Sequence, residues 1–281
     1  MNIKITADSA CDLGPMLIEK YQIGISPLTI NLGDKAHTDG VDITPADIYA
    51  HVDGGGSLPS TAATNPSQYM EMFETYSKEY DAIVHIGLGS ALSSCYQNAR
   101  LAAAEFDNVY VVDSQNLSTG YGHVVLEAVD CAAKGMSGAE IAEHLETFVP
   151  RVRASFVLGR LDYMKKGGRC STVAALGANL LKLKPSIGVR EGGSMGVMKK
   201  YRGSMEKVLP EYVADQIKDR EDLVPDRIFI THSGVSEEII ELVRAEVKKH
   251  QNFKEIYVTQ AGCTISSHCG SDCLGVLFVV K

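Results

Sequence analysis

Between Asp81 and Val112 the chain runs through two short β-type segments, Asp81 to Ile86 and Val109 to Val112, separated by a Gly- and Ser-rich loop and a helical pattern. This order of strand, loop, helix and strand is a βαβ unit, and strands joined through such a crossover pair in parallel. A parallel pair needs cover on both faces, so the unit commits the chain to a layered α/β fold. Neighbouring segments agree. Ile3 to Thr6 reads as a strand, followed by Asp8, Ser9 and a helix opened by Pro15. Thr44 with Pro45, and Asn65 with Pro66, each place a capping side chain ahead of a first-turn proline and predict a helix. Two further helices are expected at Ser118 to Lys134, closed by Gly135, and at Ala139 to Phe148 after a cap at Ser137.

Beyond Arg153 the texture changes. A strand-like "ASFVLG" is followed by a short helix and then by "LKPSIGVREGGSMGVMKKY", whose Gly192-Gly193 between extended runs predicts a hairpin. A helix from Ser204 to about Lys218, a strand over Arg227 to Thr231, a helix over Ser236 to Lys249 and two terminal strands complete the reading. The expected boundary lies between residues 152 and 153, giving domains 1–152 and 153–281 with a ligand cleft at their junction.

Charge removes one class of function. With 27 Lys and Arg against 35 Asp and Glu, the net charge is −8, whereas neutralising a phosphate backbone needs clustered cations. No nucleic-acid partner is expected. The opening "MNIKITADSACDL" lacks an apolar export segment, and the longest clean apolar run, Leu274 to Val280, is too short for a span. A cytoplasmic protein is expected, whose seven scattered cysteines are reduced thiols and not a disulfide framework.

The loop "GLGSALSS" admits two readings. As a dinucleotide fingerprint it would set pyrophosphate on a helix start with Asp113 on the ribose, but Leu92 stands where a third glycine belongs. Alternatively, Ser90, Ser93 and Ser94 sit where a helix begins and where free amides attract a carboxylate or phosphate. Asp8-Ser9, Ser60 with Thr61 and Thr64, and Asp113-Ser114 place similar groups at other strand ends, and in a parallel sheet such ends gather at one edge. Lys165, Lys166 and Arg169 surround two glycines and suit an anion or an acidic partner. Cys263, His268, Cys269, Asp272 and Cys273 crowd the C-terminus, but their spacing is not that of a zinc site, and no metal is expected. A hydrolase would need a nucleophile elbow, and "GLGSALS" lacks its closing glycine.

Seven segments, in order, resemble the DegV family of bacterial fatty-acid-binding proteins, the acyl-carrying subunits of fatty acid kinase. They are "ITADSACDL", "PSTAATNPSQY", "GSALSSCYQNA", "VVDSQNLSTGYG", "LDYMKKGGR", "KPSIGV" and "SSHCGSDCLGVLF". The resemblance implies a two-domain α/β fold, with a parallel sheet in the first domain and a mixed sheet in the second. It implies a long-chain fatty acid as ligand, no cofactor and no catalysis by this chain alone. A separate kinase subunit would phosphorylate the carboxylate, with transient membrane or acyltransferase contact on delivery. Residue by residue it implies that Thr61, Ser93 and His268 bind the carboxylate, with Ser60 and Ser94 in neighbouring loops, and that Arg169, with Lys165 and Lys166, faces the partner. The chain departs from the family pattern at Ser94-Cys95, where Gly-Thr is usual, at Ala62-Ala63, and at "HCGSDC". The alternative is a stand-alone hydrolase or nucleotide-binding enzyme using the loop at 87–94.

Overall fold

The computed structural model describes residues 1–174 and 183–281. The N-terminal part comprises β1 (Ile3–Asp8), α1 (Gly14–Lys20), β2 (Gly24–Ser26), β3 (Thr29–Leu32), β4 (Lys35–Thr38), α2 (Pro45–Asp53), β5 (Ser60–Ala62), α3 (Pro66–Ser77), β6 (Ala82–Gly87), α4 (Cys95–Ala103), β7 (Val109–Asp113), α5 (Ser118–Ala133) and α6 (Gly138–Phe148). Strands β2, β1, β6 and β7 form a parallel sheet in that order. The βαβ unit is β6, α4 and β7. Two of the Pro-opened helices, α2 and α3, begin at capping boxes, Thr44 with Asp47 and Asn65 with Gln68, and α6 begins at a third, Ser137 with Glu140. Each box satisfies two amides that a helix start leaves unpaired.

The C-terminal part comprises β8 (Val152–Leu158), α7 (Asp162–Gly167), α8 (Ser171–Ala174), β9 (Leu183–Val189), β10 (Met195–Arg202), α9 (Met205–Ile217), β11 (Arg227–Ser233), α10 (Glu237–His250), β12 (Glu255–Gln260), α11 (Cys263–Cys269) and β13 (Cys273–Val279). Its sheet runs β10, β9, β8, β13, β11, β12 and is mixed: β11 and β12 are parallel and the other pairs antiparallel. The Gly192-Gly193 hairpin joins β9 to β10, with both glycines at positive φ. No helix among the described residues is long and apolar enough to cross a membrane.

Two elements depart from the sequence reading. Residues 29–62 contribute a small antiparallel sheet, β4-β3-β5, so Ser60 and Thr61 lie on an edge strand and not in a loop. Strands of three or four residues carry too little alternation to register as a pattern. The second is α11, which interrupts what read as two consecutive terminal strands. Its sequence, CTISSHC, is poor in helix formers, and its start is held from outside.

That hold comes from two buried carboxylates of the N-terminal part. Asp39 accepts from the amides of Cys263 (3.0 Å) and Thr264 (3.2 Å) and from the Thr264 hydroxyl (2.6 Å), while Asp12 accepts from the Gly262 amide (2.8 Å). Helix α5 does the larger joining. It is buried through most of its first three turns, packs on β1 and β6 and also on β8, β11 and β13, and belongs to one apolar cluster reaching from Ile83 and Val84 to Phe156 and Leu277. A helix apolar on nearly all sides belongs between layers. A second cluster, centred on Tyr212, Val213 and Ile230, fills the space under α9 and α10.

Candidate functional site

A cavity of about 700 Å³ lies between the loop edge of the parallel sheet and the inner face of the mixed sheet, within the range usual for small-molecule sites. Its deep wall is apolar. Ala154 and Phe156 of β8 face it together with Gly275 and Leu277 of β13, the residues they pair with across the strands. Alternate residues share a face, so Ser155 turns away and bonds Tyr212 beneath α9. Leu117 closes the wall from the start of α5. The rim is polar, and its exposed members, Ser90, Ser94, Gln97 and Arg169, mark where the cavity meets solvent.

Thr61, Ser93 and His268 all line this cavity, although 207 residues separate the first from the last. Thr61 Oγ1 lies 2.8 Å from His268 Nε2. The other ring nitrogen, Nδ1, is buried without a hydrogen-bond partner among the described residues and packs on Gly167, where a Cβ would overlap it. Burial, with Arg169 as a second cause, lowers the His268 pKa to about 4, so the ring is neutral at pH 7. With the proton on Nε2, His268 donates to Thr61, and the Thr61 hydroxyl is free to donate to a third group.

Ser93 is partly committed. Its Oγ accepts from the Cys95 amide (3.3 Å) and donates to Cys95 Sγ (3.2 Å). Sulfur is a weak acceptor, so that hydroxyl can turn to a better one without losing the amide bond. Arg169 reaches across the rim, donating from Nη1 to the Gly167 carbonyl (2.7 Å) and from Nε to the Leu92 carbonyl (3.3 Å). A guanidinium has five N–H donors, and three remain beyond these contacts.

The other expected residues are placed differently. Ser94 lines the cavity at its rim, whereas Ser60 is exposed and outside the lining. Edge-strand alternation sends Ser60 and Thr61 to opposite faces. Lys165 and Lys166 are exposed in the last turn of α7 and also stand outside it. Asp8 is fully buried and lies outside the lining; it accepts from Tyr69 and from the Leu88 amide (2.7 Å), fixing the start of the Gly/Ser loop. Ser9 bonds Asp39 (2.8 Å).

The fingerprint reading fails on Asp113, whose Oδ1 is occupied by the amides of Ser90 (3.0 Å) and Gln115 (2.9 Å). Gly89 is explained by packing, since a Cβ there would stand 2.8 Å from the Asn116 nitrogen. A hydrolase reading lacks its third member: His268 Nδ1 faces Gly167 where an orienting carboxylate belongs.

Sequence reasoning missed the hydroxyls that Ser118, Thr231 and Thr264 add to the wall; Cys269 and Cys273, from the crowded C-terminal segment, add thiols. The hydrogen bond with the Cys269 thiol, and then burial, push the Cys273 pKa well up, which makes it a protonated lining group. The helical setting of His268 and the role of Gly167 had no local signal at all.

Comparison with known proteins agrees with this architecture. A family model described as an uncharacterised protein of the DegV family matches residues 2–281. A DegV domain-containing protein of Caldanaerobacter subterraneus is 33% identical over 282 residues, covering 99% of both chains. A DegV family protein from Thermus thermophilus, whose structure is described as one of fatty acid binding, superposes with a TM-score of 0.90 at 28% identity over 100% of each chain. A Thermotoga maritima protein, whose structure is described as revealing a fatty acid binding function, superposes at 0.86 with 26% identity over 100% of each chain. The parallel N-terminal sheet, the mixed C-terminal sheet and a family match spanning almost every residue lead to one assignment: the chain belongs to the DegV family.

Proposed function

We propose that this chain holds a long-chain fatty acid with its carboxylate at the polar rim and its alkyl chain against the mixed sheet, and presents it to a separate fatty acid kinase. The observation that carries the reading is the pairing of Thr61 with a neutral His268 at one side of a cavity whose far wall is apolar. A carboxylate leaving water needs several donors in a dry place. Thr61 and Ser93 supply hydroxyls, and His268 orients the first of them. The tail contributes about 0.8 kcal/mol per buried CH₂, so affinity comes from the wall and orientation from the rim.

In this reading the chain does no chemistry alone and works in the cytoplasm without a resident cofactor. The two units, 1–152 and 153–281, meet across the cavity. Arg169, with Lys165 and Lys166 beside it, faces the partner subunit that brings the nucleotide, and the chain's part in acyl-phosphate formation is orientation and exclusion of water. Transient contact with a membrane or an acyltransferase would load and unload it.

Native mass spectrometry of the purified protein, with extraction and identification of the bound lipid, tests the first half. One long-chain fatty acid per chain is expected, and a protein that retains none and takes none up refutes it. Ser93→Ala should weaken retention by about 1–3 kcal/mol if the hydroxyl bonds a buried carboxylate. Unchanged retention would leave Ser93 as a cap for α4.

A further inference from the structure

Away from the cavity, α5 and α6 bring together three side chains of another chemistry. Glu127 and Cys131 are four residues apart on α5 and so share a face, and His144 approaches from α6. One oxygen, one sulfur and one nitrogen from the three lie within 4.8 Å of one another. His144 Nε2 is 2.8 Å from Glu127 Oε1, and Cys131 Sγ is 4.0 Å from the same oxygen.

Three features exceed what a hydrogen bond between helices requires. Cys131 is 1% exposed, yet its sulfur is turned to a carboxylate and not into the apolar packing. The donor set is mixed: one sulfur, one imidazole and one carboxylate, a combination that suits borderline-soft ions and not Mg²⁺ or Ca²⁺. The side chains of His144 and Glu127 are partly exposed, 35% and 17%, which gives an ion and water access from solvent.

Tetrahedral zinc with bonds of about 2.0–2.3 Å sets its donors roughly 3.4 Å apart for N and O and roughly 3.6 Å apart for S and O. The nitrogen–oxygen and sulfur–oxygen separations, 2.8 and 4.0 Å, differ from these by about half an ångström each way, and the sulfur and nitrogen lie within 4.8 Å of each other, so side-chain rotations can close the set on one ion. On binding, the thiol proton leaves to water, and the resulting thiolate and the Glu127 carboxylate balance a divalent charge. We propose that Glu127, Cys131 and His144 form a site for a divalent transition metal of the zinc class, with water as the remaining ligand. Sequence spacing could not indicate it, because the third ligand sits on another helix and the pattern matches no paired-cysteine motif.

Cobalt(II) alone, titrated into the reduced, chelator-treated full chain, tests the site. The expected result is a near-ultraviolet thiolate-to-cobalt charge-transfer band that saturates at one equivalent, vanishes in Cys131→Ser and survives in Cys269→Ser. His144→Gln, which can still donate to Glu127 and so keeps the helix contact, should weaken cobalt binding by roughly tenfold or more. No band, a band that persists in Cys131→Ser, or full affinity in His144→Gln would each overturn the proposal.

Discussion

At the scale of single residues, two buried groups at opposite ends of α11 make the protein's stability bend with pH in opposite directions. Burial raises the Asp12 pKa from 3.8 to about 7, against the bonds from Ser118 and Gly262 that lower it. A folded pKa above the unfolded one means that stability is fully present below pH 4 and is lost as pH rises towards 7. Asp12→Asn keeps an oxygen for Gly262 and tolerates the left-handed backbone at this position (φ 51°). It should therefore flatten the denaturation profile between about pH 4 and 7, a window worth on the order of 4 kcal/mol; an unchanged slope in urea titrations would show that Asp12 does not titrate there. His268, held down to about 4, acts in reverse, its contribution being present above pH 6.5 and lost as pH falls through 4. Gly167 tests the histidine's placement. It closes α7 with no left-handed demand of its own, so alanine is acceptable to the backbone, but its methyl displaces the imidazole from Thr61. Fatty-acid retention in Gly167→Ala should fall by about 1–3 kcal/mol while the melting temperature moves little, as retention assays beside calorimetry would read. The residue types of the site were legible in the sequence. A neutral, hydrogen-bonding His268 in a cleft was among those readings, whereas the cause of its neutrality, burial with Arg169 nearby, was not legible.

Elements divide into those that specify themselves and those specified by their surroundings. Helices α2, α3 and α6 carry a capping box each, between residues three apart, and the cap residue that opens each was legible in the sequence. Asn65→Ala removes the acceptor for the Gln68 amide (3.0 Å) and should cost about 1 kcal/mol, seen as a lower urea midpoint at unchanged slope. Since Asn65 begins the helix directly after Thr64, whose carbonyl holds Asn98 of α4 (2.8 Å), the loss should also loosen that loop. Helix α11 and strand β5 are the opposite case. The first has few helix formers and takes its start from Asp39 and Asp12, more than two hundred residues away; the second is three residues long and exists through its pairing with β3. Neither left a local trace, and they carry His268 and Thr61. Polar side chains that complete an element from a distance are invisible to periodicity.

For the whole molecule, the proposed function assigns holding a ligand and handing it on to different places. Arg169 is exposed at the rim and bonded to the carbonyls of Gly167 and Leu92, whereas the apolar wall lies behind it on β8 and β13. Arg169→Ala should leave fatty-acid retention within about twofold, as expected for an exposed charge contributing about 0.4 kcal/mol or less, and should impair turnover when a fatty acid kinase subunit is added. Equal loss of retention and turnover would refute the partner-facing role. The sequence by itself determined the α/β class, the parallel unit around β6 and β7, the capped helices and the hydroxyl, histidine and arginine candidates, because each of these is written in contacts between residues a few positions apart. Only the tertiary structure decided which candidates share a cavity, that Ser60, Lys165 and Lys166 stand outside it, and that Asp8 and Asp113 serve the loop and not a ligand. Those outcomes depend on α5 packing both sheets together and on two distant carboxylates starting α11, and long-range packing of this kind has no period along the chain.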